Sequence, residues 1–211
     1  MKTSGKIKRT AAAAVIVGVL CAGGTVAYLT DNEKAVNEFT VGSVEIELLE
    51  PNWKPEENKM LVPTQEILKD PQIKHTGKSD AFVYLEVAVP IKNVVTVDKE
   101  GNRTEAKDTE LFSFTAGKDW TLLQSEKKGT DQIYMYAYNK ILKPSESTTP
   151  LFEKVVFANV IEGQLDAQKM SVPVKAYAIQ SANTGGNSGS AIEQAKTAFQ
   201  KYLNQNKETP A

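Results

Sequence analysis

The chain has 211 residues, with 25 basic and 26 acidic side chains, one histidine and one cysteine. A chain of this length can bury a hydrophobic core without disulfides. Its charge balance excludes the strongly basic surface that nucleic acids and anionic membranes require, so neither is expected as a partner.

The first residues have the order of a secretory signal peptide. Residues 2–9 carry four cations, and residues 11–22 form an uncharged apolar run. A run of about twelve residues is too short to span a bilayer, which needs about twenty. The small residues Thr25 and Ala27 precede Tyr28, so we predict cleavage between Ala27 and Tyr28.

Cleavage at this point would give an acidic protein without a thiol. The leader holds four of the basic residues and none of the acidic ones, which leaves 21 against 26 and a net charge of −5. Cys21 lies in the leader and could be either a lipidated residue or an apolar filler. Leu20 before it is not small, which favours the filler, so we expect a secreted protein with no stable membrane anchor after cleavage.

β-strand patterns dominate the residues that follow. Residues 44–49 alternate as a strand with one buried face. Residues 81–90 place Val83, Leu85 and Val87 on one face and Phe82 and Tyr84 on the other. A strand with two apolar faces indicates a central position in a sheet.

The remaining elements complete an all-β pattern. Residues 54–71 are predicted as a long loop with a short helical turn at 65–69, and turns are predicted at 98–102 and 144–147. Further strands are predicted at 111–114, 120–123, 133–138, 151–158 and 172–179. Many short strands separated by turns predict a two-layer antiparallel β-sandwich.

The C-terminal part has a different composition. Residues 181–190 are rich in Ser, Gly and Asn and are predicted as a flexible linker. Beyond them, a helix of about fourteen residues is predicted, with Ser190 as its N-cap. Its apolar stripe could bind a partner, but docking on the sandwich is favoured. The predicted organisation is a signal peptide (1–27), a sandwich domain (28–180), a linker (181–190) and a helix with a tail (191–211).

Catalytic motifs are absent from the sequence. Zinc peptidases usually present two histidines on one helical turn, whereas this chain has only His75, which we interpret as a surface residue of a polar loop. Residues 98–102 lack the ligand spacing of an EF-hand. No serine or cysteine nucleophile motif and no phosphate-binding glycine loop is present. We therefore predict no catalytic site, no metal site and no cofactor.

A row of tyrosines on the strand at 133–138 has two interpretations. Tyr134, Tyr136 and Tyr138 share one face. They could form a platform for sugars, but packing between strands on a half-buried face is favoured.

Several segments resemble the TasA and camelysin group of proteins, which Gram-positive bacteria export through a signal peptidase of the SipW type. The leader end at residues 23–31 is similar to the signal region of this group. Other fitting segments are 37–48, 50–53, 69–77, 117–120, 149–152 and 178–180. His75 stands where the group leads us to expect Asn.

The resemblance implies a jelly-roll sandwich and a role in extracellular fibres. Proteins of this group build biofilm matrix fibres in which an N-terminal strand completes the sheet of the next subunit. In this chain the donor would be residues 28–41, with Tyr28, Leu29, Val36, Phe39 and Val41 as its apolar residues. Expected partners are the SipW-type signal peptidase and copies of itself or related matrix subunits, as major or accessory subunit. A camelysin-type cell-surface metallopeptidase and a monomeric adhesin or sugar-binding module remain alternatives.

Overall fold

The computed structural model describes residues 30–32, 44–54, 61–165, 168–186 and 188–206. These ranges contain eleven strands and one helix. The strands are β1 (Thr30–Asn32), β2 (Ile46–Leu49), β3 (Glu66–Leu68), β4 (Gln72–His75), β5 (Ala81–Val94), β6 (Lys107–Glu110), β7 (Phe112–Phe114), β8 (Trp120–Lys128), β9 (Asp131–Tyr138), β10 (Lys154–Phe157) and β11 (Val174–Gln180), and the helix is α1 (Ala191–Gln205).

The main sheet has the order β1-β11-β5-β9-β8, and every neighbouring pair is antiparallel. Strand β5 lies at its centre, as its two apolar faces predict. The end of β5 continues beyond the sheet and pairs with β6.

The second layer consists of two smaller antiparallel sheets, β3-β10-β7 and β2-β4. Val83, Leu85 and Val87 of β5 face this layer and pack in one cluster with buried side chains such as Ile73 and Phe152. Burial of this apolar surface between the layers supplies the main driving force for folding. The predicted all-β antiparallel sandwich is therefore confirmed.

Helix α1 covers the other face of the main sheet. Phe82 and Tyr84 of β5 form a second buried cluster with Ala195, Ala198 and Phe199 of the helix. The Ser190 hydroxyl accepts a hydrogen bond from the Glu193 amide, and the Glu193 carboxylate accepts one from the Ser190 amide, which makes a capping box. The predicted N-cap and the predicted docking of the helix are both confirmed.

The prediction of a long loop at residues 54–71 is partly wrong. Residues 66–68 form strand β3 rather than a helical turn, because they pair with residues 154–156 of β10. Strand β4 follows directly, and β6 was also not expected. These short polar strands are held by pairing with distant segments, which local propensity does not register.

Turns connect the elements largely where the sequence predicts them. The turn at 98–102 is closed by the Asp98 amide, which donates to the Asn102 carbonyl over 2.9 Å, and Gly101 has a φ of +87°. Within the predicted linker, the Thr184 hydroxyl donates to the Gln180 carbonyl. The flexibility of that linker stays a prediction. No helix in the described ranges is long and apolar enough to cross a membrane.

Candidate functional site

The N-terminal segment meets the main sheet at strand β11. The three residues of β1 pair with Tyr177, Ala178 and Ile179, and β5 lies on the other side of β11. Residues 174–176 of β11 pair with β5 but have no strand partner on the β1 side within the described ranges. Strand β1 therefore pairs with only part of the β11 edge.

Only this part of the predicted donor segment is described. Tyr28, Leu29, Val36, Phe39 and Val41 lie outside the described residues, and so do Thr25 and Ala27 of the predicted cleavage site. The register Thr30 to Ile179 and Asn32 to Tyr177 shows that the segment enters β11 from the Gln180 end.

The side chains of β11 are divided between two clusters. Ala176 and Ala178 face the main core, whereas Ile179 faces helix α1. The Tyr177 hydroxyl lies 3.4 Å from the Glu86 carboxylate, to which Lys175 also donates over 3.0 Å. Burial, followed by the charge of Glu86, raises the pKa of Tyr177 to about 12. Side chains of β11 are therefore packed on both faces of the sheet.

A buried acceptor lies where β1 begins. The Oε1 atom of Gln180 is buried and has no hydrogen-bond partner among the described residues. An unpaired buried acceptor costs free energy. The sequence marked residues 178–180 as similar to the group but did not indicate this edge.

The opposite edge of the main sheet, β8, is protected against pairing. Its ladder with β9 is interrupted between Leu122 and Gln124 by a bulge. Lys127 and Lys128 stand at its end, each bound to a carboxylate. Bulges and lysines are devices by which edge strands avoid pairing with other chains. The two edges of the sheet therefore differ in chemistry.

Two segments of the group resemblance, 50–53 and 69–77, meet in a polar cluster. The Lys69 ammonium binds the Glu50 carboxylate at 2.6 Å and lies 5.2 Å from the centre of the Trp53 ring. Buried Asp70 accepts hydrogen bonds from the backbone and side-chain amides of Asn52, both at 2.9 Å. This cluster joins the end of β2 to the start of β4, so its role is structural.

Two further segments of the resemblance also meet. The Gly117 amide donates to the Leu151 carbonyl over 2.7 Å, and the Trp120 indole donates to the Thr149 carbonyl over 3.1 Å. A Cβ atom at Gly117 would lie 3.1 Å from the Pro150 carbonyl oxygen, so a side chain there would require the neighbouring backbone to shift slightly. Both segments line an open groove of about 680 Å³, which the sequence did not predict.

The tyrosine row does not form an exposed platform. Tyr136 and Tyr138 are buried in the main core, and Tyr138 packs on Trp120 with ring centres 5.1 Å apart. Tyr134 is half-buried, and its hydroxyl donates to Glu110 over 2.7 Å. The favoured interpretation of this row, packing between strands, is confirmed.

His75 is buried, and its interpretation as a surface residue is wrong. The Gly77 amide donates to His75 Nδ1 over 3.0 Å, so Nδ1 is unprotonated. Nε2 then carries the proton and donates to the Ser79 carbonyl over 2.7 Å. Both ring nitrogens are engaged by the backbone of the 76–80 loop. Alternation along β4, with Ile73 and His75 inward and Lys74 outward, was the signal that could have indicated burial.

The side chains of the described residues do not provide the ligands of a zinc peptidase site. The chain has a single histidine, and its ring nitrogens are both hydrogen-bonded inside the protein. Within the described ranges, no three His, Cys, Asp or Glu side chains lie close enough to hold a metal ion together. These residues do not fit the histidine-based sites of metallopeptidases.

The comparisons with known proteins give one family. The model of the camelysin metallo-endopeptidase family matches residues 3–111, about half of the chain. No curated protein and no solved structure matches the chain. The matched residues include the resembling segments before β5 and β5 itself. The resemblance found in the sequence is confirmed, and the chain belongs to the camelysin metallo-endopeptidase family.

Proposed function

We propose that the protein is a secreted structural component of an extracellular matrix. It assembles into fibres by donating residues 28–41 to the β11 edge of the next copy, either as the main subunit or as an accessory one. The observation that carries this proposal is the pairing of Thr30–Asn32 with Tyr177–Ile179. The N-terminal segment is thereby an edge strand that can leave one sheet and enter an identical one.

The geometry favours an open chain of subunits. A segment that leaves β11 exposes a sheet edge whose backbone groups need partners, and an identical segment from another copy satisfies them equally well. The donor and the acceptor are different surfaces, so the contact is head-to-tail and does not close on itself. The bulge and lysines of β8 disfavour a competing contact at the opposite edge.

Removal of the leader would control the start of assembly. Cleavage between Ala27 and Tyr28 by a SipW-type signal peptidase frees the segment that precedes β1. An uncleaved leader would attach a basic and apolar extension to that segment and keep it from entering a neighbouring sheet. Secretion by a Gram-positive bacterium and a place in its biofilm matrix belong to this proposal and rest on the family.

The test compares two versions of the protein. One begins at Tyr28, and the other carries a short N-terminal tag before Tyr28. We expect filaments by electron microscopy for the first and a folded monomer for the second. If both versions stay monomeric at high concentration, or if both form filaments equally, the strand-donor mechanism is wrong.

A second candidate is a metal-dependent peptidase, which the description of the family favours. The single histidine and the lack of a metal-binding cluster in the described ranges weigh against it. Protein digestion by the purified chain with and without added Zn²⁺ tests it. Zinc-dependent digestion that a His75→Ala variant loses, while a His75→Asn variant stays folded and inactive, would support the peptidase.

A further inference from the structure

Helix α1 and strand β1 contact the same part of β11. Tyr177 and Ile179 pair with β1 through their backbones. Ile179 is buried in the cluster that includes Ala195 and Phe199 of the helix, and Tyr177 packs against that cluster. The helix packs mainly on β9 and β5, and its apolar cluster extends to Tyr177 and Ile179 at the edge that holds the N-terminal segment.

Hydrogen bonds attach both halves of the helix, and its apolar face packs on the sheet along its length. The buried Tyr84 hydroxyl donates to the Ala195 carbonyl over 2.8 Å. The Lys201 ammonium donates to the Thr184 carbonyl over 2.7 Å, which ties the helix to the turn after β11. Towards the C-terminal end of the helix, a cavity of about 90 Å³ lies beside Phe199 and Leu203. A helix of 15 residues is marginal alone in water, so its order depends on these contacts.

Gly185 leaves no room for a side chain between that turn and the helix. A Cβ atom added to Gly185 would lie 2.6 Å from the Gln194 carbonyl oxygen and 2.7 Å from its Cβ atom. Both distances are shorter than atoms tolerate, so a side chain here must push the helix away from the turn. The turn follows β11 directly in the chain, and its Ser181 amide donates to the carbonyl of Asp80, next to β5.

We propose that docking of α1 regulates exchange of the N-terminal segment at β11. The docked helix holds Tyr177 and Ile179 in place and keeps β1 paired within its own subunit. Undocking uncovers the outer face of β11, loosens its backbone and speeds the release of β1. The two segments share the free energy of ordering the same strand, so loss of one weakens the other. The regulatory role rests on the proposed function, whereas the coupling of α1 to β11 does not.

Hydrogen exchange in the monomer tests the coupling without filaments. The protein begins at Tyr28 with an N-terminal tag that keeps it monomeric, and the variant is Gly185→Ala. We expect amides of residues 177–179 and 30–32 to exchange about ten-fold faster, while those of β10 in the other layer keep their protection. Gln200→Ala, an exposed change on the same helix, is the matched control and should leave all rates unchanged.

The outcomes separate the coupling from the proposed function. If amides of residues 195–199 exchange faster in the variant while those of residues 177–179 and 30–32 do not, the helix and the strand are not coupled and the proposal is wrong. If Gly185→Ala leaves the helix docked or unfolds the whole chain, Phe199→Ser replaces it and the same comparison applies. In the untagged protein, a variant with uncoupled rates but faster filament growth would also contradict the proposal. If the coupling is present but no version forms filaments, the coupling stands and the fibre function fails.

Discussion

His75 shows how one side chain can fix a corner of the fold. The neutral ring accepts from Gly77 through Nδ1 and donates to Ser79 through Nε2, so a single tautomer closes the 76–80 loop. The backbone of His75 joins neighbouring segments, because its amide donates to the Glu146 carbonyl and its carbonyl accepts from Ser145. An Asn side chain also carries an acceptor and a donor, so it could make similar bonds to the same loop.

We expect His75→Ala to lower the free energy of unfolding by about 2–4 kcal/mol. The change removes one of two acceptors of the Gly77 amide, which also donates to the Glu45 carbonyl, and it leaves the Ser79 carbonyl without its donor and creates a cavity. His75→Asn should cost less, about 1–2 kcal/mol, because its side-chain oxygen can still accept from Gly77. Urea unfolding followed by tryptophan fluorescence measures both. Equal losses for the two variants would contradict this account of the hydrogen bonds.

This residue also marks the limit of what the sequence predicts at the site. One histidine and no peptidase motif are visible in the sequence and already weigh against zinc catalysis. The burial of His75 was not visible, because its partners are backbone groups of Gly77 and Ser79 whose positions depend on the loop conformation. Asp70 is similar, since its partner Asn52 lies 18 positions away in the chain.

At the scale of elements, strand β8 keeps one edge of the main sheet from pairing. Its Lys127 binds Asp108 of β6 at 2.7 Å, and its Lys128 binds Glu126 at 2.8 Å. Both lysines are exposed, so these pairs contribute little to stability. Their more important effect is to keep charge along an edge where Leu122 is already 45 % exposed.

Replacement of both lysines should make the protein associate through β8. We expect Lys127→Val with Lys128→Val to self-associate at roughly ten-fold lower concentration than the parent, because two β-branched residues replace charges at an open edge. Sedimentation velocity of the N-terminally tagged monomer measures this. Lys140→Val, an exposed lysine that also forms an ion pair, is the control. Association of the control to the same extent would show that charge loss alone is responsible.

The elements differ in how well the sequence predicts them. Strand β5 and helix α1 carry strong periodic patterns, and both were predicted with their buried faces. Strand β3 has only three residues. Buried Ile67 is followed by Leu68, which is apolar but 59 % exposed, so the sequence shows no alternation of apolar and polar residues. Its existence depends on pairing with β10, almost ninety positions later, which a local pattern cannot register. The pairing of β1 with β11 was hidden for the same reason.

For the whole molecule, buried tyrosines limit stability at high pH. Burial raises the pKa values of Tyr84, Tyr134 and Tyr136, and burial with Glu86 raises that of Tyr177 to about 12. A folded-state pKa above the ordinary value of about 10 means that the stabilisation is complete below pH 10 and is lost as the pH rises towards 12.

We therefore expect unfolding between about pH 10 and pH 12, with tyrosine ionisation and loss of circular dichroism occurring together. Tyr177→Phe keeps the ring but removes the ionising group, so its unfolding midpoint should move to higher pH. Urea unfolding at neutral pH checks that the variant is otherwise stable. Ionisation of every tyrosine near pH 10 without unfolding would contradict the burial of these rings.

The last prediction follows from the position of β1 in the whole molecule and in a fibre. Asn32 and Tyr177 lie opposite each other in the register of β1 and β11. Opposed residues of antiparallel strands have Cα atoms about 4.5–5.5 Å apart, a separation that a disulfide can span. The only cysteine of the chain is Cys21, so Asn32→Cys with Tyr177→Cys would form a unique pair in a protein that begins at Tyr28.

Oxidation of this pair before assembly should lock each segment onto its own subunit and prevent filaments, and a reducing agent should restore them. Oxidation after assembly should instead join neighbouring subunits into a covalent ladder on a non-reducing gel, because each segment then lies on the next copy. The two single-cysteine variants are the controls and should assemble without either effect. Two results would contradict this: normal filament growth from the oxidised monomer, or the absence of a ladder from oxidised filaments. Either result would show that the N-terminal segment stays on its own subunit during assembly.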